Sequence, residues 1–384
     1  MTKQRDHFWD AVRALLMLLG IPYHVALAYR AGREWIVSPG EGLPAFTYGA
    51  EFIHLFRMPG FFLIAGYFAA LLLGRRAPDQ WLQGRFLKLA PPFVASLLLL
   101  VPVLNMLCEL SNMPWTDAVA SWKHNSATSG GYWVRHLWFI IVLLYCSTAA
   151  ALLVRWRPAL RDALLPARID AWIADHFAVT LMAGAVLLGL WEAVAVELFY
   201  IGGFATNLPQ QILRLDELIT YAPYFASGCL LARSPRTLDR AVRFIPAIAL
   251  VALASTAVSL LYVDSFWAPV GRFFGTISGI ALTQVLIAGA KAFLDRPIPL
   301  LQRLVEASFV IYLVHMPIVV MLVLLGKSVA LPVGAKAAAV MLLTLALSYG
   351  AWLLVERSAW LRFLFNGDPM PRRSYQPRPR TVAA

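Results

Sequence analysis

Residues 176–191 read HFAVTLMAGAVLLGLW, a stretch with no carboxylate, lysine or arginine. About 20 such residues in a helix cross a hydrocarbon core of about 30 Å, and few soluble folds bury so unbroken an apolar surface. Residues 243–263, after the arginine at its first position, and 337–355 repeat the pattern, and the 384-residue chain is 60% hydrophobic and 14% charged, with a mean hydropathy of +0.67. Ordinary globular domains carry about 25% charged residues. The fold class is therefore all-α, a polytopic integral membrane protein lying in the lipid bilayer.

Hydropathy and turn residues divide the chain into about ten spans, near 9–30, 50–73, 86–107, 134–154, 176–199, 215–232, 244–263, 268–290, 303–325 and 336–356. With the N-terminus inside, 23 of the 33 Lys and Arg residues lie in or beside inner connections and 8 beside outer ones. That asymmetry fits the positive-inside rule with both termini cytoplasmic. Residues 9–30 lack a small-residue cleavage site after the apolar run, so they read as a retained helix and not a signal peptide. Residues 1–364 form the transmembrane domain; 365–384, ending in NGDPMPRRSYQPRPR and a short apolar stub, read as a disordered basic cytoplasmic tail. The outer connections 31–49 and 108–133, rich in Gly, Pro, Ser, Trp and Asn, read as loops around a polar entrance.

The net charge of +12 is spread in short runs between apolar spans, which excludes a nucleic-acid partner. Cys108, Cys146 and Cys229 are odd in number and lack CxxC spacing, so no metal site and no disulfide framework is read from them.

Ionisable groups inside a membrane are costly and usually face a bundle interior, which makes each a functional candidate. The first span, DHFWDAVRALLMLLGIPYHVALAY over 6–29, carries Arg13 and His24 eleven positions apart. Eleven steps of about 100° come within about 20° of three full turns, so the two share a face about 16 Å apart in depth. Arg13 then falls near the cytoplasmic boundary and His24 in the outer half. Pro22 removes a backbone donor two residues before His24, predicting a kink or local opening there. A hydrogen bond from His24 to a neighbouring helix is the plainer alternative for a lone histidine.

The second span, EFIHLFRMPGFFLIAGYF over 51–68, places Arg57 about 10 Å deep, level with His24, with His54 on the same face at i−3. The plain alternative for Arg57 is an ion pair with Glu192 or Glu197. The fourth span opens with His136 and Trp138; Glu192 lies deep in the fifth; the ninth holds Ser308, Tyr312 and His315 at spacings of four and three. At the inner surface Arg75, Arg76, Arg85 and Lys88 flank the 74–88 connection. Such a cluster could hold phosphates, although topology alone would also place it there.

Taken in order, Arg13 and His24 with ten residues between them, FRMPGFFLIAGYF over 56–68, HLWF over 136–139 and SFVIYLVHMPIV over 308–319 resemble the acyltransferase-3 superfamily. The similarity runs from about residue 5 to 357. One departure is Ala65-Gly66, where many relatives have Ser-Gly; another is that no esterase-like domain is read after the bundle. The resemblance implies an acyl-CoA donor on the cytoplasmic side and a sugar hydroxyl acceptor on the periplasmic side. The branch it looks most like acts in succinyl substitution of periplasmic glucans, which implies succinyl-CoA as donor substrate and no permanently bound cofactor. By residue, it implies His24 as the essential histidine, Arg13 as its paired arginine and Arg57 as the basic residue of the second-span motif.

The expected assignments follow from both lines. His24 is the general base, with Arg13 and Glu192 beside it in the catalytic set. Arg57, His54, His136, Trp138, Tyr312 and His315 bind the substrate, and Arg13, Arg85 and Lys88 bind the donor's nucleotide part. The partners are acyl-CoA and a periplasmic glucan at the bacterial inner membrane; a homo-oligomer stays open. Two other readings remain: transfer of an acetyl or other acyl group to a different exported polysaccharide or lipid-linked sugar, and a glycan or small-molecule transporter. No inverted repeat favours the transporter.

Overall fold

Proline and glycine placement sets where the helices begin, bend and end. The computed structural model describes residues 6–202, 208–262 and 268–370; among them there is no named strand, and one isolated bridge joins Arg30 and Leu43. In chain order the helices are α1 (His7–Leu18), α2 (Gly20–Ala28), α3 (Pro44–Leu73), α4 (Pro78–Ala95), α5 (Val101–Leu110), α6 (Trp115–Thr128) and α7 (Gly130–Val134). They continue with α8 (Trp138–Trp156), α9 (Ala167–Asp175), α10 (Phe177–Trp191), α11 (Glu197–Ile201), α12 (Leu208–Leu213) and α13 (Leu215–Leu231). The last are α14 (Pro235–Ala241), α15 (Pro246–Tyr262), α16 (Ala268–Leu294), α17 (Pro299–Gly326), α18 (Val333–Glu356) and α19 (Ala359–Asn366).

Eight helical stretches among the described residues are long and apolar enough to cross a membrane, and a ninth arises if α14 and α15, bent by 67° at their junction, form one broken span. The count of ten included the stretch 215–232, which is α13, a helix of 17 residues packed into the bundle but short for an independent crossing. The all-α polytopic class stands with eight to nine candidate spans. Outward faces carry the apolar side chains that lipid requires: Val179 and Leu187 on α10 and Leu253 and Leu261 on α15 are all more than 60% exposed, an arrangement that would aggregate in water.

Helix α3 is the central post. It crosses α13 with backbone almost touching backbone: a Cβ on Gly66 would fall on the Phe225 carbonyl, and one on Gly228 on the Leu63 carbonyl. In lipid there is no hydrophobic drive between helices, so close approach through small residues supplies the packing. The main core gathers Phe8, Trp9 and Leu16 of α1, Phe62 and Tyr67 of α3, Ile140 of α8 and Tyr221 of α13.

Two expectations change here. Residues 108–133 do not form an open loop: Pro114 starts the 14-residue helix α6. The ordered chain also runs beyond 364, since Phe365 and Asn366 complete α19 and Asp368 lies 3.0 Å from the Lys88 ammonium. The remainder of the expected tail, 371–384, lies outside the described residues.

Candidate active site

Pro22 lacks the N–H that would bond the Leu18 carbonyl four residues back, and the first span is interrupted there: α1 ends at Leu18 and α2 begins at Gly20. That local lapse is what the sequence predicts at Pro22, while His7–Ala28 runs on as one span carrying Arg13 and His24. At the break Gly20 leaves room for two side chains from other helices. A Cβ at that point would lie 3.0 Å from Arg57 Nη1 of α3 and 3.2 Å from His315 Nε2 of α17.

Three imidazoles line up from this point. The His24 and His315 rings are 5.2 Å apart, and His315 and His136 are 5.6 Å apart at a steep angle. His315 Nδ1 lies 2.6 Å from the Tyr312 carbonyl oxygen and His136 Nε2 lies 3.3 Å from that of Leu313. A carbonyl only accepts, so those nitrogens carry the protons, and in the neutral rings His315 Nε2 and His136 Nδ1 hold the lone pairs. The Tyr312 hydroxyl donates to the His136 carbonyl, pinning α17 to the break before α8. All three histidines are buried, His315 completely.

Arg57 is 7% exposed and makes no ion pair among the described residues. Its guanidinium lies 4.7 Å above the Tyr23 ring, a cation–π contact that offsets part of the cost of burying the charge. The ion-pair alternative therefore fails: Glu197 pairs with Arg272. Arg57 Nε, His24 Nδ1, His136 Nδ1 and His315 Nε2 find no hydrogen-bond partner among the described residues. Four such atoms in one cluster are unusual in a stable interior and are what a polar substrate would satisfy. No group of His, Cys, Asp or Glu among the described residues is disposed to hold a metal ion.

Other expected residues fall elsewhere. His54 does reach the cluster, its Nδ1 3.4 Å from the Tyr23 hydroxyl. Trp138 instead stacks on Tyr221 at 5.3 Å, inside the packed core. Glu192 does not meet His24. It opens a π-helical turn, Glu192–Val196, and lines a separate cleft with Tyr224 and Thr276. Arg13 lies 3.5 Å from Asp10 and electrostatically close to Arg85. Lys88 is taken up by Asn366 and Asp368 at 3.3 and 3.0 Å, so it anchors the C-terminal end of α19 and is not a free phosphate ligand.

Sequence reasoning missed Tyr23, which lies under Arg57 and against His54, and Trp35, whose ring stacks on His24 at 5.5 Å. Tyr23 had one signal, its place between Pro22 and His24; Trp35 sits in a connection where no periodicity marks it. It also missed the brace behind His136. Arg135 has φ +44°, a strained backbone for a non-glycine residue, and its Nε donates to Asn105 Oδ1 at 2.7 Å while Asn105 Nδ2 donates to the Tyr132 carbonyl at 2.7 Å.

A helical membrane bundle with this buried cluster defines a class, and comparison with known proteins gives the same one. The family model described as Acyltransferase domain matches residues 6–353, and the chain belongs to the acyltransferase-3 family of membrane acyltransferases. Among its relatives is glucans biosynthesis protein C of Salmonella gallinarum, 27% identical over 82% of this chain and 82% of that one. The protein of the same name from Salmonella typhimurium is 24% identical over 96% of both chains, and that from Salmonella heidelberg is 25% identical over 82% of both. No solved structure matches the chain.

Proposed function

We propose that this protein moves an acyl group, succinyl, from cytoplasmic acyl-CoA to a hydroxyl of a periplasmic glucan, at the bacterial inner membrane with both termini inside. The observation that carries this reading is the buried row His24, His315 and His136 beside an arginine without a carboxylate partner. The relatives named for glucan biosynthesis supply the acceptor class.

In this reading the donor's nucleotide end rests near Arg13 and Arg85, and its pantetheine arm reaches the break at Gly20. His24 takes the proton of a sugar hydroxyl as the oxygen bonds to the thioester carbonyl carbon. The carbon–sulfur bond then breaks, and coenzyme A leaves as the thiolate and takes up a proton. A positioned base contributes about 10²–10⁴-fold to such a step. Arg57 either steadies the oxyanion or grips the succinyl carboxylate. A covalent acyl-histidine route uses the same groups.

The test is acyl transfer by the purified protein in nanodiscs from succinyl-CoA to periplasmic glucan, followed by mass spectrometry of the glucan. His24→Ala should remove transfer while thermal stability stays near that of the parent. Full activity in that variant overturns the base assignment, and a parent that transports glucan without consuming thioester overturns the enzyme reading.

A further inference from the structure

Between α3, α13, α16 and the π-helical turn after α10 lies a cleft of about 390 Å³, within the range of small-molecule sites. It opens at the end of the bundle that the charge asymmetry assigns to the periplasm. Its lining carries four carboxyl side chains, Glu51, Glu192, Asp216 and Glu217, and a single arginine, Arg272. Three arginines at this rim are engaged by carboxylates, and Arg30, close to Glu51, is held by the backbone carbonyls of Arg33 and Glu34. Arg272 pairs with Glu197, Arg214 lies 3.3 Å from Asp216 and 2.5 Å from Glu217, and Arg33 lies 3.5 Å from Glu51. A phosphate or carboxylate entering here would meet acids and arginines already held by other groups; the guanidinium without a carboxylate partner, Arg57, lies over the Tyr23 ring in the neighbouring cluster.

The remaining features suit a neutral polyol. Carboxylates accept from hydroxyl groups, and the buried Glu192 Oε1 finds no partner among the described residues. Tyr221 presents a polar edge from a stiff mount, its ring stacked on Phe62 at 5.0 Å and on Trp138 at 5.3 Å. That mount gives Trp138 a role at one remove from the sugar. The cleft also adjoins the chemistry: its wall residue His54 lies 3.4 Å from the Tyr23 hydroxyl, and Tyr23 precedes His24 with the two rings 4.9 Å apart.

We infer that this cleft is the acceptor site and that it is selective for charge: it takes a neutral glucosyl unit and turns away one already carrying an anionic acyl group. Substitution would then limit itself along a glucan, because each product ester brings a carboxylate back to an acidic wall. The inference rests on the transferase reading, so binding and transfer are measured separately.

The full chain in nanodiscs is titrated with unsubstituted glucan and with glucan succinylated chemically beforehand, following tryptophan fluorescence. The neutral glucan should bind about tenfold more tightly than the succinylated one. Glu192→Gln and Glu217→Gln should each narrow that gap, and Tyr221→Phe, which keeps the ring, should weaken neutral binding several-fold. Equal affinities for the two glucans in the parent, or an unchanged gap in both glutamine variants with Tyr221→Phe also unchanged, overturn the inference. Neutral binding without acyl transfer from succinyl-CoA would leave the cleft assigned and overturn the transferase reading instead.

Discussion

Arg57 Nη1 and His315 Nε2 stand over the same bare Cα: a methyl group on Gly20 would lie 3.0 Å from the first and 3.2 Å from the second. Neither α3 nor α17 can be displaced easily, so Gly20→Ala should push the guanidinium or the imidazole aside by a few tenths of an ångström. Transfer should fall roughly tenfold or more, with little change in thermal unfolding; unaltered kcat would show that the contact is slack.

If Arg57 reads the carboxylate of the acyl group, Arg57→Lys should discriminate between donors. A lysine keeps the charge but loses the planar, bidentate fork. Succinyl transfer should drop about tenfold more than acetyl transfer in parallel kcat/KM measurements; equal losses would assign Arg57 to the oxyanion.

Asn105 holds both the Arg135 side chain and the Tyr132 carbonyl, each at 2.7 Å, just before His136. In Asn105→Leu those buried groups lose their partner, which should cost about 1–3 kcal/mol in stability. The strained Arg135 backbone would relax and let His136 drift, so kcat should fall even under conditions where the variant is fully folded. A loss of stability alone would confine Asn105 to scaffolding.

Gly66→Ala and Gly228→Ala each drive a methyl group into a facing carbonyl at one helix crossing. Either should destabilise the bundle by about 1–3 kcal/mol. The double variant should cost less than the two together, because one separation of α3 from α13 relieves both. Thermal unfolding in detergent checks this, and additive losses would mean that the crossing flexes locally.

Asp170, in the connection between two spans, takes donors from Arg236 N at 2.9 Å, Thr237 N at 3.0 Å and the Thr237 hydroxyl at 2.7 Å. Burial alone would raise its pKa, but these hydrogen bonds outweigh it and hold the carboxyl below its ordinary value. Its contribution is thus complete above the ordinary carboxylate pKa near 3.9 and fades as the pH falls through the lower folded value. Asp170→Asn should cost about 1 kcal/mol at neutral pH and flatten the acid limb of the stability profile; an unchanged limb would assign it to other groups.

Much of the site was legible because periodicity acts within one helix. His54 and Arg57 three apart, Tyr312 and His315 three apart, and the opening at Pro22 are local facts, and each lies in or beside the buried cluster. Glu192 was misplaced because its neighbours, Tyr224 of α13 and Thr276 of α16, are set by packing between distant helices that no spacing rule announces. Lys88 was misread because its partner, Asp368, lies 280 positions away. The tenth expected span, α13, has 17 residues with Asp216 and Glu217 in its first turn and is not among the eight to nine candidate crossings of the described residues.

What the sequence by itself determined is that the chain lives in lipid, is helical, and carries histidines and an arginine too costly to bury without purpose, since hydropathy and the expense of charge in hydrocarbon are properties of composition. Only the tertiary structure decided which of those groups meet. Gly20 admits Arg57 and His315 to one point, while Glu192 lines an acidic cleft with residues of α3, α13 and α16. Such meetings are fixed by packing between helices far apart in the chain, where a single residue's turn of about 100° decides which face is inside.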